Sequence, residues 1–227
     1  MNDFNFILAI QKLSYSFIPV LLGIILHEVA HGYAAMKQGD YTAYMSGRIT
    51  MNPIPHIDPM GLVVFLFTAM FSPFVFGWAK PVPVNYRYFK DVRKGIFYVS
   101  AAGPLANLFL ACFFALLFYL LALIPTNVLG MFSGSFEFLF QMCTVGVWAN
   151  IGLMWINLIP IPPLDGSKLL MTFMPAQMAY KYADFERYGM IVLMILIFTG
   201  IFGYIITPFI KGTVFAILTL FNFIFGV

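Results

Sequence analysis

Long apolar runs dominate this chain, and its polar residues collect in the joints between them. Residues 16–36, 60–79, 96–124, 138–159, 188–206 and 212–227 each approach the roughly 20 mostly apolar positions that a helix needs to cross a bilayer. Residues 4–14 read as an interfacial helical stretch, interrupted by Gln11 and Lys12. Between the first two runs lies GDYTAYMSGRITMNPIPHIDP, whose Thr, Tyr, Gly, Pro and Asn content favours short strands and turns over helix. The pattern predicts an all-α polytopic membrane protein. It would have about five to six membrane segments and a small β-hairpin or re-entrant region between the first helix and the next full span. No internal repeat or low-complexity tract divides the chain, so 1–227 reads as a single integral-membrane domain.

Composition removes the soluble alternative. Of the 227 residues, 62% are hydrophobic and only 9% charged, whereas soluble domains are roughly 45–50% apolar and about 25% charged. A net charge of +3 gives no basis for nucleic-acid binding. Cys112 and Cys143 both sit inside apolar runs and read as buried free thiols. Asp3 spoils a basic leader region and no small-residue cleavage site follows the first apolar run, so that helix is expected to stay as an uncleaved anchor. The joint KPVPVNYRYFKDVRKG carries Lys80, Arg87, Lys90, Arg93 and Lys94 against Asp91 alone, which marks it as cytoplasmic. Lys168, Lys181 and Arg187 put the 160–187 joint on the same side, and the charge-free stretch 125–135 suits the other.

One stretch breaks the apolar pattern where leucine would be cheaper. LHEVAHG, residues 26–32, follows SFIPVLLGIIL directly, and two imidazoles with a carboxylate are costly in hydrocarbon. On a helix His27 and His31 share a face, as positions i and i+4 do. Two neutral imidazoles at that spacing can hold one zinc ion, and Glu28 beside them can act as general base on a water. A third protein ligand is then required. Asp165 is one candidate, because it follows NLIPIPPL, where prolines unwind the helix from residue 138. His56, in the polar turn PHIDP, is the rival.

HEVAH together with NLIPIPPLDG resembles the site-2 protease family of intramembrane zinc metalloproteases, and AAGPLAN (101–107) is similar to the small-residue helix that lies between those motifs. The resemblance spans about residues 23–168 and lacks a PDZ-like insertion, as in the compact prokaryotic members. It implies His27, His31 and Asp165 as zinc ligands, Glu28 as catalytic base, and Asn157 as a contact to substrate or to the developing oxyanion. One Zn2+ per chain is the implied cofactor. The expected domain plan is an HExxH helix at 16–36, a strand or re-entrant region at 38–95, core helices at 96–124 and 138–165, and a C-terminal helical hairpin at 188–227.

Metal geometry constrains the membrane path. For His31 and Asp165 to meet, the ends of their helices must lie on one side of the bilayer. The runs 96–124 and 138–159 form an out-and-back pair, so residue 95 lies on that side too. Residues 60–79 are then expected to turn back near residues 71–74 instead of spanning, as backbone can do where protein or water covers it. Ala101, Ala102, Gly103 and Ala106 suit close helix approach. The expected activity is hydrolysis of peptide bonds in transmembrane segments of other membrane proteins. The site would sit in the cell membrane, in a multi-pass protein, opening toward the cytoplasm. The alternative is a non-catalytic metal-binding membrane protein, a carrier or a substrate-holding regulator, although such a binder has no need of Glu28.

Overall fold

A computed structural model describes residues 6–71, 79–125, 130 and 133–226. The described residues are almost entirely helical, in the order α1 (Phe6–Gln38), α2 (Thr42–Met45), α3 (Pro59–Phe71), α4 (Val92–Ala122), α5 (Ser133–Leu158), α6 (Asp165–Met171), α7 (Ala176–Asp184), α8 (Glu186–Phe198) and α9 (Ile201–Phe225). Within α1, α4, α5 and α9 lie four helical stretches long and apolar enough to cross a membrane. Their outward faces are apolar: Phe223, Tyr204 and Phe198 are 87%, 85% and 81% exposed. Rings left that bare need a lipid neighbour. The chain is an all-α membrane protein.

Helices α1, α4 and α5 form the core, with α9 packed on the outside of α4 and α5. Leu110, Ala111 and Phe114 of α4 meet Cys143, Val147, Ile151 and Met154 of α5, and Val214 and Ile217 of α9 close the cluster. Small residues set the helix spacing. A Cβ on Gly146 would stand 2.3 Å from the Phe114 ring, and one on Gly23 would stand 2.4 Å from Asn150 Oδ1. In hydrocarbon, packing of this kind drives helices together where water-driven burial cannot.

Several boundaries differ from the sequence expectation. Residues 4–14 and 16–36 were expected as separate elements, yet α1 runs unbroken from Phe6 through Pro19 to Gln38. The C-terminal break falls at Gly200, in the left-handed region at φ 75°, and α9 then continues through the 206–212 gap and past Pro208. Where a β-hairpin was expected, the described residues hold a single antiparallel bridge, Ile57 to Ala79. Pro53, Pro55, Pro59, Pro81 and Pro83 explain this, since each removes an N–H from any ladder. The bridge still joins the two ends of the excursion between them, with the Lys80 N–H donating to His56 O at 2.9 Å. The helix α3 is described as far as Phe71. Residues 72–74 of the expected turn lie outside the described residues.

Candidate metal centre

His27 and His31 project from adjacent turns of α1 toward α4, and both are almost fully buried. Gly103 of α4 makes the room. A Cβ there would lie 2.5 Å from His27 Cε1 and from His31 Nε2, so every larger residue would push the imidazoles away. Asp165 arrives from another direction, as the first residue of α6. The prolines of 160–163 end α5, and Gly166 lets α6 start directly against it, since a Cβ at 166 would sit 2.1 Å from Leu158 O.

These three side chains converge on one point. His27 Nε2 and His31 Nε2 are 2.9 Å apart, and each is 3.1 Å from Asp165 Oδ2. Both rings are oriented from behind. His27 Nδ1–H donates to Asn107 Oδ1 at 2.7 Å, because the Asn107 amide nitrogen is committed to Gly23 O and Asn150 Oδ1, each at 3.1 Å. His31 Nδ1–H donates to Val99 O at 2.7 Å. With both Nδ1 hydrogens directed outward, the neutral rings turn their Nε2 lone pairs inward, toward each other and toward a carboxylate.

Asp165 Oδ2 is buried and has no hydrogen-bond partner among the described residues. Three electron-rich atoms thus face one another without a donor that is not borrowed from them, and such an arrangement calls for a cation. Tetrahedral zinc with bonds of about 2.0 Å keeps its ligands about 3.3 Å apart, a few tenths of an ångström from the distances here. Two nitrogens and one oxygen are a donor set that zinc accepts, with outer partners of the sort that orient ligating histidines. The residues present fit the metal.

Glu28 lies next to this cluster without joining it. Its Oε2 accepts the Val82 backbone N–H at 2.8 Å, and Oε1 accepts no hydrogen bond among the described residues. Asn157, near the end of α5, donates its amide to Leu153 O at 2.9 Å and is not drawn into the cluster by any described hydrogen bond. His56, the rival third ligand, stands elsewhere. Fully buried, it donates Nε2–H to Thr50 O at 2.9 Å and stiffens its own turn. The structure therefore assembles His27, His31 and Asp165, and leaves His56 out.

Sequence reasoning passed over the residues that stand behind these. Asn107, Asn150 and the backbone of Val99 and Val82 were not singled out, although a signal existed for two of them. Asn107 and Asn150 are lone amides inside apolar runs and are fully buried, and polar residues at such positions are expensive enough to need a role.

The chain is similar to named zinc metalloproteases. It is 37% identical over 216 residues to "Putative zinc metalloprotease YwhC" of Bacillus subtilis, covering 95% of this chain and 94% of that one. It is 29% identical over 200 residues to "Putative zinc metalloprotease Rip2" of Mycolicibacterium smegmatis, covering 84% and 71%. The Rip2 of Mycobacterium tuberculosis is 28% identical over 197 residues, covering 83% and 70%. No protein-family model matches the chain. No solved structure matches it either.

Proposed function

The chain belongs to the site-2 protease family of zinc metalloproteases, and from that premise we propose that it is an endopeptidase hydrolysing peptide bonds in transmembrane segments of other membrane proteins. The observation that carries this reading is the division of labour on one helical turn. His27 and His31 turn their lone pairs to a shared centre with Asp165, while Glu28 is held off that centre with one oxygen unclaimed among the described residues.

In this reading His27 Nε2, His31 Nε2 and Asp165 Oδ2 hold one zinc ion per chain. Zinc, when bound, polarises a carbonyl and brings the pKa of a water to roughly 7. Glu28 Oε1 takes a proton from the attacking water and delivers it to the leaving nitrogen, while the Val82 N–H keeps the carboxylate from swinging into the ligand set. Asn157 Oδ1, which accepts no hydrogen bond among the described residues, holds an unwound substrate. The buried shell of Val99, Asn107 and Asn150 keeps the imidazoles in the one tautomer that leaves Nε2 available.

The membrane path follows the same reading. Ile57 and Ala79, which stand at either end of the expected re-entrant run, are bridged to each other, and this supports a return to the same side of the membrane. Arg93 donates to Met174 O, which ties the basic 80–94 joint to the 160–187 joint at one end of the bundle. That end faces the cytoplasm of a cell membrane by the charge rule, and water for hydrolysis enters from there.

The test is zinc content of the purified protein in detergent, with cleavage of a transmembrane substrate, for wild type and Glu28→Gln. One zinc in both, with cleavage only by wild type, supports the reading. Zinc in both and no cleavage across several substrates would replace it with a metal-binding regulator. Protein that takes up no zinc would remove the site assignment itself.

A further inference from the structure

Arg48 is an unusual group to find buried. It is 8% exposed, and among the described residues no carboxylate lies within salt-bridge distance of it. Its Nε has no partner among the described residues. Stripping water from a guanidinium is expensive when no anion compensates, so its remaining contacts should explain its presence. Among the described residues they are two, both from Nη2: to Lys80 O, and to Pro81 O at 3.2 Å.

Pro81 O belongs to the same peptide group as the Val82 N–H. One planar unit therefore accepts from Arg48 at its oxygen and donates to Glu28 Oε2 at its nitrogen. A cation at the carbonyl end polarises the unit and strengthens the N–H as a donor. The flanking sequence makes this donor single. Pro81 and Pro83 have no N–H, so between residues 81 and 83 only Val82 can donate. The strap is also pinned at both ends, by the Lys80 N–H on His56 O and by the Asn85 N–H on Asp40 Oδ2 at 2.6 Å. Gly32, one turn beyond Glu28, lets it lie close on α1, where a Cβ would meet Val82, Ala43 and Ile49 side chains at 3.2–3.3 Å.

We propose that Arg48 is a positioning residue for Glu28, acting through the Pro81–Val82 peptide. This rests on the reading of Glu28 as the general base. Arg48 touches neither the metal-ligand cluster nor Glu28 itself; it fixes the peptide that fixes the carboxylate. Lysine can reach the same carbonyls as a point donor but lacks the planar fork, so it should replace arginine in part.

The experiment compares wild type, Arg48→Ala and Arg48→Lys in full-length protein, measuring kcat and KM on a transmembrane substrate, zinc content, and hydrogen exchange in a peptide covering residues 80–85. Loss of a correctly placed catalytic group by about 1 Å costs about 100-fold. Arg48→Ala should lower kcat about 10- to 100-fold at unchanged KM and one zinc per chain, with about tenfold faster exchange in that peptide, and Arg48→Lys should recover much of the loss. An unchanged kcat, or a loss in both variants that tracks loss of zinc, would overturn the proposal. Unaltered exchange at residues 80–85 would overturn it as well. If wild type itself cleaves nothing, the protease reading fails, and the exchange result alone still decides whether Arg48 holds the peptide against Glu28.

Discussion

His27 and Glu28 are neighbours in sequence, yet the molecule supports them by opposite means. His27 is fixed from within the helical core, by Asn107 of α4, itself braced by Asn150 of α5 and by Gly23 O. Glu28 is fixed by irregular backbone, a proline-flanked strap that returns to α1 from 54 residues away. The histidine side is a rigid cradle whose members sit on three packed helices. The glutamate side is a single peptide hydrogen bond held in place by other loops. Metal ligands need a fixed spacing to one another, which helices provide best. A base that moves a proton between water and a leaving group needs one oxygen held and the other open, and a strap from one side can do that.

The largest effect should separate the two sides most sharply. Glu28→Gln keeps the shape and the Val82 hydrogen bond but removes the base. Cleavage should fall by about 10²–10⁴-fold while zinc stays at one per chain. Chelation should abolish cleavage from the other side, with recovery on adding zinc back. A Glu28→Gln protein that also loses zinc would show that the two supports are not separate.

Gly103→Ala strikes the cradle alone. Its methyl would need space 2.5 Å from both imidazoles, and α4 cannot retreat without opening the core around Phe114 and Gly146. Zinc affinity should fall by more than 100-fold, measured by competition with a chelating dye, with the helical content by circular dichroism unchanged. Zinc binding as tight as wild type would mean that α4 yields more easily than its packing implies.

How legible these supports are in the sequence follows the same division. His27 and His31 announce themselves because helical periodicity alone puts positions four apart on one face. Asp165 is readable in its local setting, prolines ending one helix and a glycine permitting the next, but its meeting with the histidines depends on tertiary packing that no spacing encodes. The four long helices follow from apolar length. Their ends do not: α1 continues through Gln11 and Lys12, and α9 continues through the polar interruption at Lys211, with Pro19 and Pro208 inside helices where neighbouring groups can absorb the lost hydrogen bonds. Segment 39–59 reads as strand-prone by composition, yet its own prolines leave only one bridge. Arg48 is readable in sequence only as one of the cytoplasmic-face cations, since the Arg48–peptide–Glu28 connection runs through backbone atoms that any residue carries.

The outer ring of the cradle gives smaller, graded effects. Asn107→Ala removes the acceptor that holds the His27 ring in its tautomer. Outer partners of ligating histidines are worth roughly 10–100-fold in metal affinity, and that is the expected fall, again by dye competition. Asn107→Asp should restore part of it, because a carboxylate oxygen can accept from His27 Nδ1 as the amide oxygen does.

Asn150→Ala lies one step further out and should cost least. Asn150 touches no ligand; its Oδ1 accepts from Asn107, and its amide donates to Gly146 O at 2.9 Å and to Pro19 O at 3.4 Å. Removing it leaves Asn107 still bonded to Gly23 O and to His27, so His27 keeps its orientation and zinc affinity should change only a few-fold. The loss should appear instead as stability, about 0.6–1.7 kcal/mol for an interhelical side-chain hydrogen bond in a membrane protein, read from unfolding in mixed detergent micelles. If zinc affinity fell as far as in Asn107→Ala, the amide pair would have to act as one unit, with Asn107 unable to hold the imidazole unless Asn150 holds Asn107. The cradle would then extend across α1, α4 and α5 as a single polar network, and the contrast with the lone peptide bond on Glu28 would be wider still.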